Sequence, residues 1–195
     1  MGKKLVTGPS QEPVTLAEAK LHLRVDTADE DEYLDTLITV ARQAIEDYLG
    51  RALLEQTWDL VLDGELPDLV TLKPAPLISV TGVYATDLDG TETTLGVTEY
   101  AVDTTTSGPG RLFKTTSYIS RVIRDYASYR IRFKTGYYHL EDEAPVSDPA
   151  DVPEAIRQGL LELISCYYED RLGETAPLIP GGIRQVLAAY RVYRI

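Results

Sequence analysis

Cysteine, methionine and tryptophan each occur once in this chain of 195 residues, and phenylalanine and histidine only twice each. The lone Cys166 excludes an internal disulfide framework and any zinc site built from several thiolates. It falls among apolar positions of a helix-patterned segment, where a buried, inert thiol is expected. Only His22 and His139 are available as imidazole bases, and neither H-E-x-x-H nor G-x-S-x-G occurs. "SGPG" (107–110) and "PGG" (180–182) lack the strand–loop–helix setting and the lysine of a phosphate loop, so they read as turns. No apolar run is long enough to cross a bilayer, and "MGKKLVTGPSQEP" has no signal-peptide core. The expectation is a reducing, cytoplasmic origin and no membrane partner. Positive charge is scarce too: 19 Lys and Arg stand against 31 Asp and Glu, a net charge of −12. That balance argues against tight, non-specific nucleic-acid binding by the chain as a whole.

What is present is the composition of a globular protein, 44% apolar and 26% charged. "TLAE" at 15–18 is a capping box opening a short helix that ends near Val25. Tyr33, Leu34, Leu37, Ile38, Ala41, Ala44, Ile45, Tyr48 and Leu49 then follow the i, i+3, i+4 rule. They predict a helix over about 29–49, capped by Asp29 and closed by Gly50. From Glu55 to Tyr138 the period becomes two, which predicts about six antiparallel strands. Asp89-Gly90 marks a hairpin, and Tyr129, Ile131 and Phe133 form a packed face opposite Arg130, Arg132 and Lys134. "HLEDEAPVSDPADVPEA" reads as an acidic linker, with Pro153 opening a third helix whose stripe is Ile156, Leu160, Leu163, Ile164 and Tyr167. A short final helix and a tail, "IRQVLAAYRVYRI", close the chain. The fold class that follows is α+β, a small helical bundle of N- and C-terminal helices with an inserted antiparallel β-rich domain. The expected divisions are 1–54 (helical), 55–140 (β domain) and 141–195 (helix, short helix and tail).

Two charge features call for a use. "DTADEDEYLD" (26–35) holds six acids, including Asp29, Glu30, Asp31, Glu32 and Asp35. An EF-hand reading fails because Ala28, Asp31 and Leu37 stand at the third, sixth and twelfth positions. The acids fit the first turn of a helix, against the positive end of its dipole. A metal-dependent enzyme using Asp29–Asp35 remains a third option, dependent on a bound divalent cation. Conversely, 111–134 holds seven basic residues, among them Arg111, Lys114, Arg130, Arg132 and Lys134, against the single Asp125, a net of +6. With interleaved tyrosines it permits an alternative reading as a nucleic-acid-binding accessory protein. The reading preferred from charge alone sets this basic face against an acidic one, within the chain or between copies. No catalytic, cofactor-binding or metal constellation emerges.

The stretch 14–63 resembles the head–tail connector, or adaptor, proteins of long-tailed bacteriophages and gene transfer agents. The resemblance lies in "TLAEAKLHLRV", the acids before "YLDTLITVAR", "IEDYLGRAL" and "QTW". The segments "VPEAIRQGLLELISCYYEDR" and "GIRQVLAAYRVYRI" are similar as well. The resemblance implies a non-enzymatic virion protein of the neck, made in the bacterial host cytoplasm. It further implies a homo-oligomeric ring, commonly of twelve copies, beneath the portal protein. Such a ring extends the DNA channel, passes double-stranded DNA without specific binding, and docks a stopper or tail-terminator protein. On that basis Arg184, Tyr190, Arg191, Tyr193 and Arg194 are expected to dock the portal. The acids Asp29–Asp35 and the basic residues of 111–134 are expected to be complementary faces between subunits.

Overall fold

The computed structural model describes residues 2–104, 108–115, 123–141, 144–171 and 178–192. The chain divides into two compact units, each assembled from two separate stretches: Met1–Pro9 with Glu55–Gly136, and Ser10–Leu54 with Tyr137–Ile195. The fold class is the α+β arrangement expected, with the α-helices in one unit and the two larger antiparallel sheets in the other.

The β unit holds strands β1 (Gly2–Thr7), β2 (Gln56–Leu62), β3 (Leu69–Leu72), β4 (Leu77–Thr86), β5 (Glu92–Thr94), β6 (Tyr100–Asp103), β7 (Gly110–Lys114) and β8 (Tyr129–Thr135). They form a five-stranded sheet in the order β1-β2-β8-β4-β5 and a three-stranded sheet in the order β3-β7-β6. Leu60 and Leu62, Val83, Ile131 and Phe133 from the larger sheet share one apolar core with Leu72 and Leu112 from the smaller. β8 shows the expected alternation, with Tyr129, Ile131, Phe133 and Thr135 buried and the three cations between them half-buried. Gly90, at φ +88°, closes the β4–β5 hairpin, and the Asp87 carboxylate accepts from the amides of Asp89 and Thr91 at 3.0 and 2.8 Å.

Two features of this unit differ from the sequence expectation. The first ordered element is β1, not the helix at Thr15, and it pairs with β2 through Gly2↔Val61 to Thr7↔Thr57. Residues 1–9 therefore belong with the strands, not with 1–54. The run "TTLGVTEYAV", read as one strand, is broken by a turn over 96–99. There the Gly96 amide donates to the Glu99 carboxylate at 2.6 Å and the Glu99 amide to the Gly96 carbonyl at 2.9 Å. The turn sends β5 into one sheet and β6 into the other.

The helical unit holds α1 (Leu16–Leu23), α2 (Asp31–Leu49), α3 (Glu154–Glu169) and α4 (Gly181–Leu187), the last followed by a single 3-10 turn at Ala188–Tyr190. The Thr15 capping box is complete: its hydroxyl accepts from the Glu18 amide, and the Glu18 carboxylate accepts from the Thr15 amide at 2.8 Å. Along α2, Leu34, Leu37, Ile38, Ile45 and Leu49 are buried. At about 2 kcal/mol each, their burial contributes about 10 kcal/mol of gross hydrophobic stabilisation. They pack with Ile156, Leu160, Leu163 and Leu187 in the unit's single core. Gly50 takes the left-handed conformation expected (φ +67°) and donates to the Glu46 carbonyl at 2.9 Å.

Here too there are corrections. Helix α2 begins two residues later than predicted and its N-cap is Glu30, with no side-chain capping bond, so Asp29 does not cap it. Pro153 is the N-cap of α3 and not its first helical residue. The acidic stretch 139–151 is no plain linker. It forms a hairpin of β9 (His139–Glu141) and β10 (Ala144–Val146) and a 3-10 turn at Pro149–Asp151, boxed by Asp148 and Asp151. The Asp151 carboxylate also pairs with His139 Nδ1 at 2.9 Å.

Candidate functional site

Five cations of 111–134 (Arg111, Lys114, Arg130, Arg132 and Lys134) lie on strands and have carboxylate partners within the β unit, while Arg124 lies in the loop before β8 and donates to the Ala127 carbonyl at 3.2 and 3.0 Å. Arg132 donates twice to Asp59, both bonds at 2.8 Å, from directly across the β2–β8 ladder. Arg130 donates to both oxygens of Glu92 at 2.9 and 2.5 Å, lies 3.6 Å from Asp59, and stacks on the Tyr84 ring at 4.1 Å. Lys134 reaches Glu55 at 2.8 Å, Lys114 reaches Asp68 at 3.1 Å, and Arg111 reaches Asp103 at 2.5 Å. Hydrogen bonds from Arg132 hold the Asp59 carboxyl below the usual range against the opposing effect of burial. Those from Arg130 do the same for Glu92. These five cations form a set of charge pairs and not an open basic strip, because their acids come from other strands and from the loops before β2 and β3. Arg121 and Tyr118, also read as part of the basic region, lie outside the described residues.

The acidic stretch is not uniform either. Asp31 pairs with Lys20 of α1 at 2.6 Å. Glu30 binds the end of α3, accepting from Arg171 at 2.5 Å and from the Tyr168 hydroxyl, while the Arg171 guanidinium lies over the rings of Tyr33 and Tyr168 at 4.9 and 4.8 Å. The bond from Tyr168, and then those from Arg171, hold the Glu30 carboxyl below its ordinary value. Asp26, Asp29, Glu32 and Asp35 are exposed. The stretch thus separates into two acids that fasten helices together and four that face outward.

Of the docking residues expected at the C-terminus, Tyr193 and Arg194 lie outside the described residues. Arg184 is exposed on α4. Tyr190 and Arg191 are held at the C-terminal corner of α2, which the sequence reading did not anticipate. Arg51 Nε donates to the Tyr190 carbonyl at 2.5 Å, and the Val192 amide to the Leu49 carbonyl at 2.7 Å. The Arg191 guanidinium lies 4.8 Å from the Tyr48 ring centre, and the Tyr48 hydroxyl donates to the Arg184 carbonyl at 3.2 Å. Arg51, next to the helix-stopping Gly50, forms this clamp with Leu49. Among the described residues no three His, Cys, Asp or Glu side chains gather to hold a metal ion, and no helix is long and apolar enough to cross a membrane.

With this geometry in hand, comparison with known proteins points one way. The model of the phage gp6-like head-tail connector family matches residues 13–103, slightly under half of the chain. The resemblance read from 14–63 is thereby borne out. Over its whole length the chain also shares the fold of chains in gene transfer agent (GTA) particles. Against a chain in the neck of an empty GTA particle, computed with C6 symmetry, the TM-score is 0.80 at 24% identity. Against a chain in the virion of the native particle it is 0.78 at 23% identity. Against one in the neck of the native particle, computed with C12 symmetry, it is 0.72 at 23% identity. Each alignment covers all of this chain and 97% of the other. No curated protein matches the sequence.

Proposed function

We propose that this protein is a structural head–tail adaptor of a tailed phage or phage-like particle. It forms a ring beneath the portal, continues the DNA channel, and presents a platform for a stopper or tail protein. One observation carries the reading: a chain that matches a head-tail connector family in sequence also shares its fold, end to end, with chains of GTA necks solved with C6 and C12 symmetry. The charge distribution supports it. DNA slides past an acidic protein without being held, and the strand cations Arg111, Arg130 and Arg132 are already paired with carboxylates. The role is non-enzymatic, the location is the virion neck, and the C-terminal segment from Arg184 onward docks the portal.

The test is deletion of the gene from its particle, with rescue by the full chain. The expected result is DNA-filled heads without attached tails, and neck density restored on rescue. Normally tailed, infectious or DNA-transferring particles in the deletion would overturn the proposal. A DNA-binding assay addresses the accessory-protein alternative: tight binding that falls steeply with salt and is lost in Arg130→Glu/Arg132→Glu would favour it instead.

A further inference from the structure

β1 is the longest element with no buried residue. All six of its residues are exposed, Leu5 to 44% and Val6 to 41%, and none contributes to the β core. Ordering a strand costs conformational entropy that buried apolar area normally offsets. The ladder to β2 and the Lys3 ammonium, 4.3 Å from the Trp58 ring centre, hold it in place of buried side chains. β1 is also an edge: β2 lies on one side, and no described strand lies on the other. An exposed edge is a template for another chain unless something covers it.

The charges indicate what covers it. Asp26, Asp29, Glu32 and Asp35 face outward, and the described cations of the 111–134 strands paired above are committed to their own unit. Lys3 and Lys4 are adjacent and exposed on β1, beside the apolar Leu5 and Val6. We propose that β1 of one copy, with Lys3 and Lys4, is covered by the acidic start of α2, Asp26 to Asp35, of the next copy. The two surfaces differ, so the contact is head-to-tail, and a head-to-tail contact repeated by rotation closes a ring instead of a dimer. The inference rests on the ring reading above and specifies which surfaces meet.

The test mixes ¹⁴N- and ¹⁵N-labelled full-length chains at low salt, measures mass by sedimentation, and joins neighbouring amines and carboxylates with a carbodiimide. Mixed-isotope cross-links between Lys3 or Lys4 and residues 26–35 are expected. Lys4→Glu should cut them at least tenfold, as should Asp29→Lys/Glu32→Lys/Asp35→Lys. Mixing the two variants should restore them, because in an alternating ring every contact then has matched signs. Unchanged Trp58 fluorescence and helical circular dichroism show that both variants are folded. Cross-links that are absent or lie elsewhere, or a folded pair that mixing does not restore, would overturn the proposal. If a ring is seen by mass without these cross-links, this contact is wrong and the adaptor reading stands. Failure to associate at all, alone or on the portal, removes the ring reading as well.

Discussion

Replacing Asp59 with asparagine tests whether the web on β8 holds the β unit together. Asp59 is 7% exposed and accepts two bonds from Arg132, with Arg130 3.6 Å away. A bond to a charged partner contributes about 1.5–3 kcal/mol, but the Arg132 side chain is 35% exposed and solvent screens it. Asparagine keeps one acceptor oxygen and loses the charge, and Arg130 and Arg132 then stand on one face with less to offset their repulsion. The expected loss is about 2 kcal/mol, which at a urea slope of about 2 kcal/mol/M lowers the midpoint by about 1 M. The single Trp58 is the probe, since it lies on β2 next to the substitution and reports on this unit. The sign with pH follows from the lowered Asp59 carboxyl. Its contribution is present above the ordinary aspartate value and is lost as pH falls through the lower folded value. Variant and wild type should therefore differ most near neutrality and converge only as pH falls through that lowered folded value. A midpoint shift that is negligible at neutral pH, or equal at both ends, would refute the reasoning.

Further outcomes follow from other contacts. Gly110→Ala should destabilise the β unit by about 2 kcal/mol by urea titration, because the added methyl would sit 2.5 Å from Leu77 Cβ. Gly159→Leu should loosen α4, since a Cβ there already lies 3.3 Å from Leu187 Cδ2; the expected readout is faster amide exchange along 183–187 with α2 still protected. Arg51→Ala should release the Tyr190 carbonyl and speed exchange of the Val192 amide at least tenfold with little change in the melting of α2. Glu30→Gln should weaken the helical unit at neutral pH, and the difference should vanish in acid, because the Glu30 carboxyl is depressed and its contribution is lost as it protonates.

The parts of the fold legible in sequence were those specified locally. The α2 stripe, the Thr15–Glu18 box, Gly50 and the Asp89-Gly90 turn each act within a few residues, and each was found where expected apart from the α2 start. β1 was hidden because "GKKLVT" buries nothing and so carries no alternation. The β9–β10 pair was hidden in a similar way, since His139, Leu140, Glu141, Pro145 and Val146 are all exposed. Pairing over distance was the other blind spot. Asp59 meets Arg132 across 73 residues and Glu92 meets Arg130 across 38, and only strand register brings them together. Counting charge within 111–134 therefore described a basic strip, whereas its counter-charges were supplied from strands 2, 5 and 6 and the loops beside strands 2 and 3. The connector resemblance was visible because it rests on short ordered motifs of 14–63 and on the C-terminal helical segments, where motif and packing coincide.

The backbone passes from one unit to the other three times, at Pro9/Ser10, Leu54/Glu55 and Gly136/Tyr137. A protease that nicks any one of these joints leaves both units on a continuous covalent path, so neither is shed by a single cut. Synthesis runs under the same constraint: β1 leaves the ribosome first but has no strand to pair with until residues 56–62 follow, and α1 and α2 wait for α3, about a hundred residues later. This threading gives endurance to the finished molecule and delays the completion of both units until most of the chain has been made.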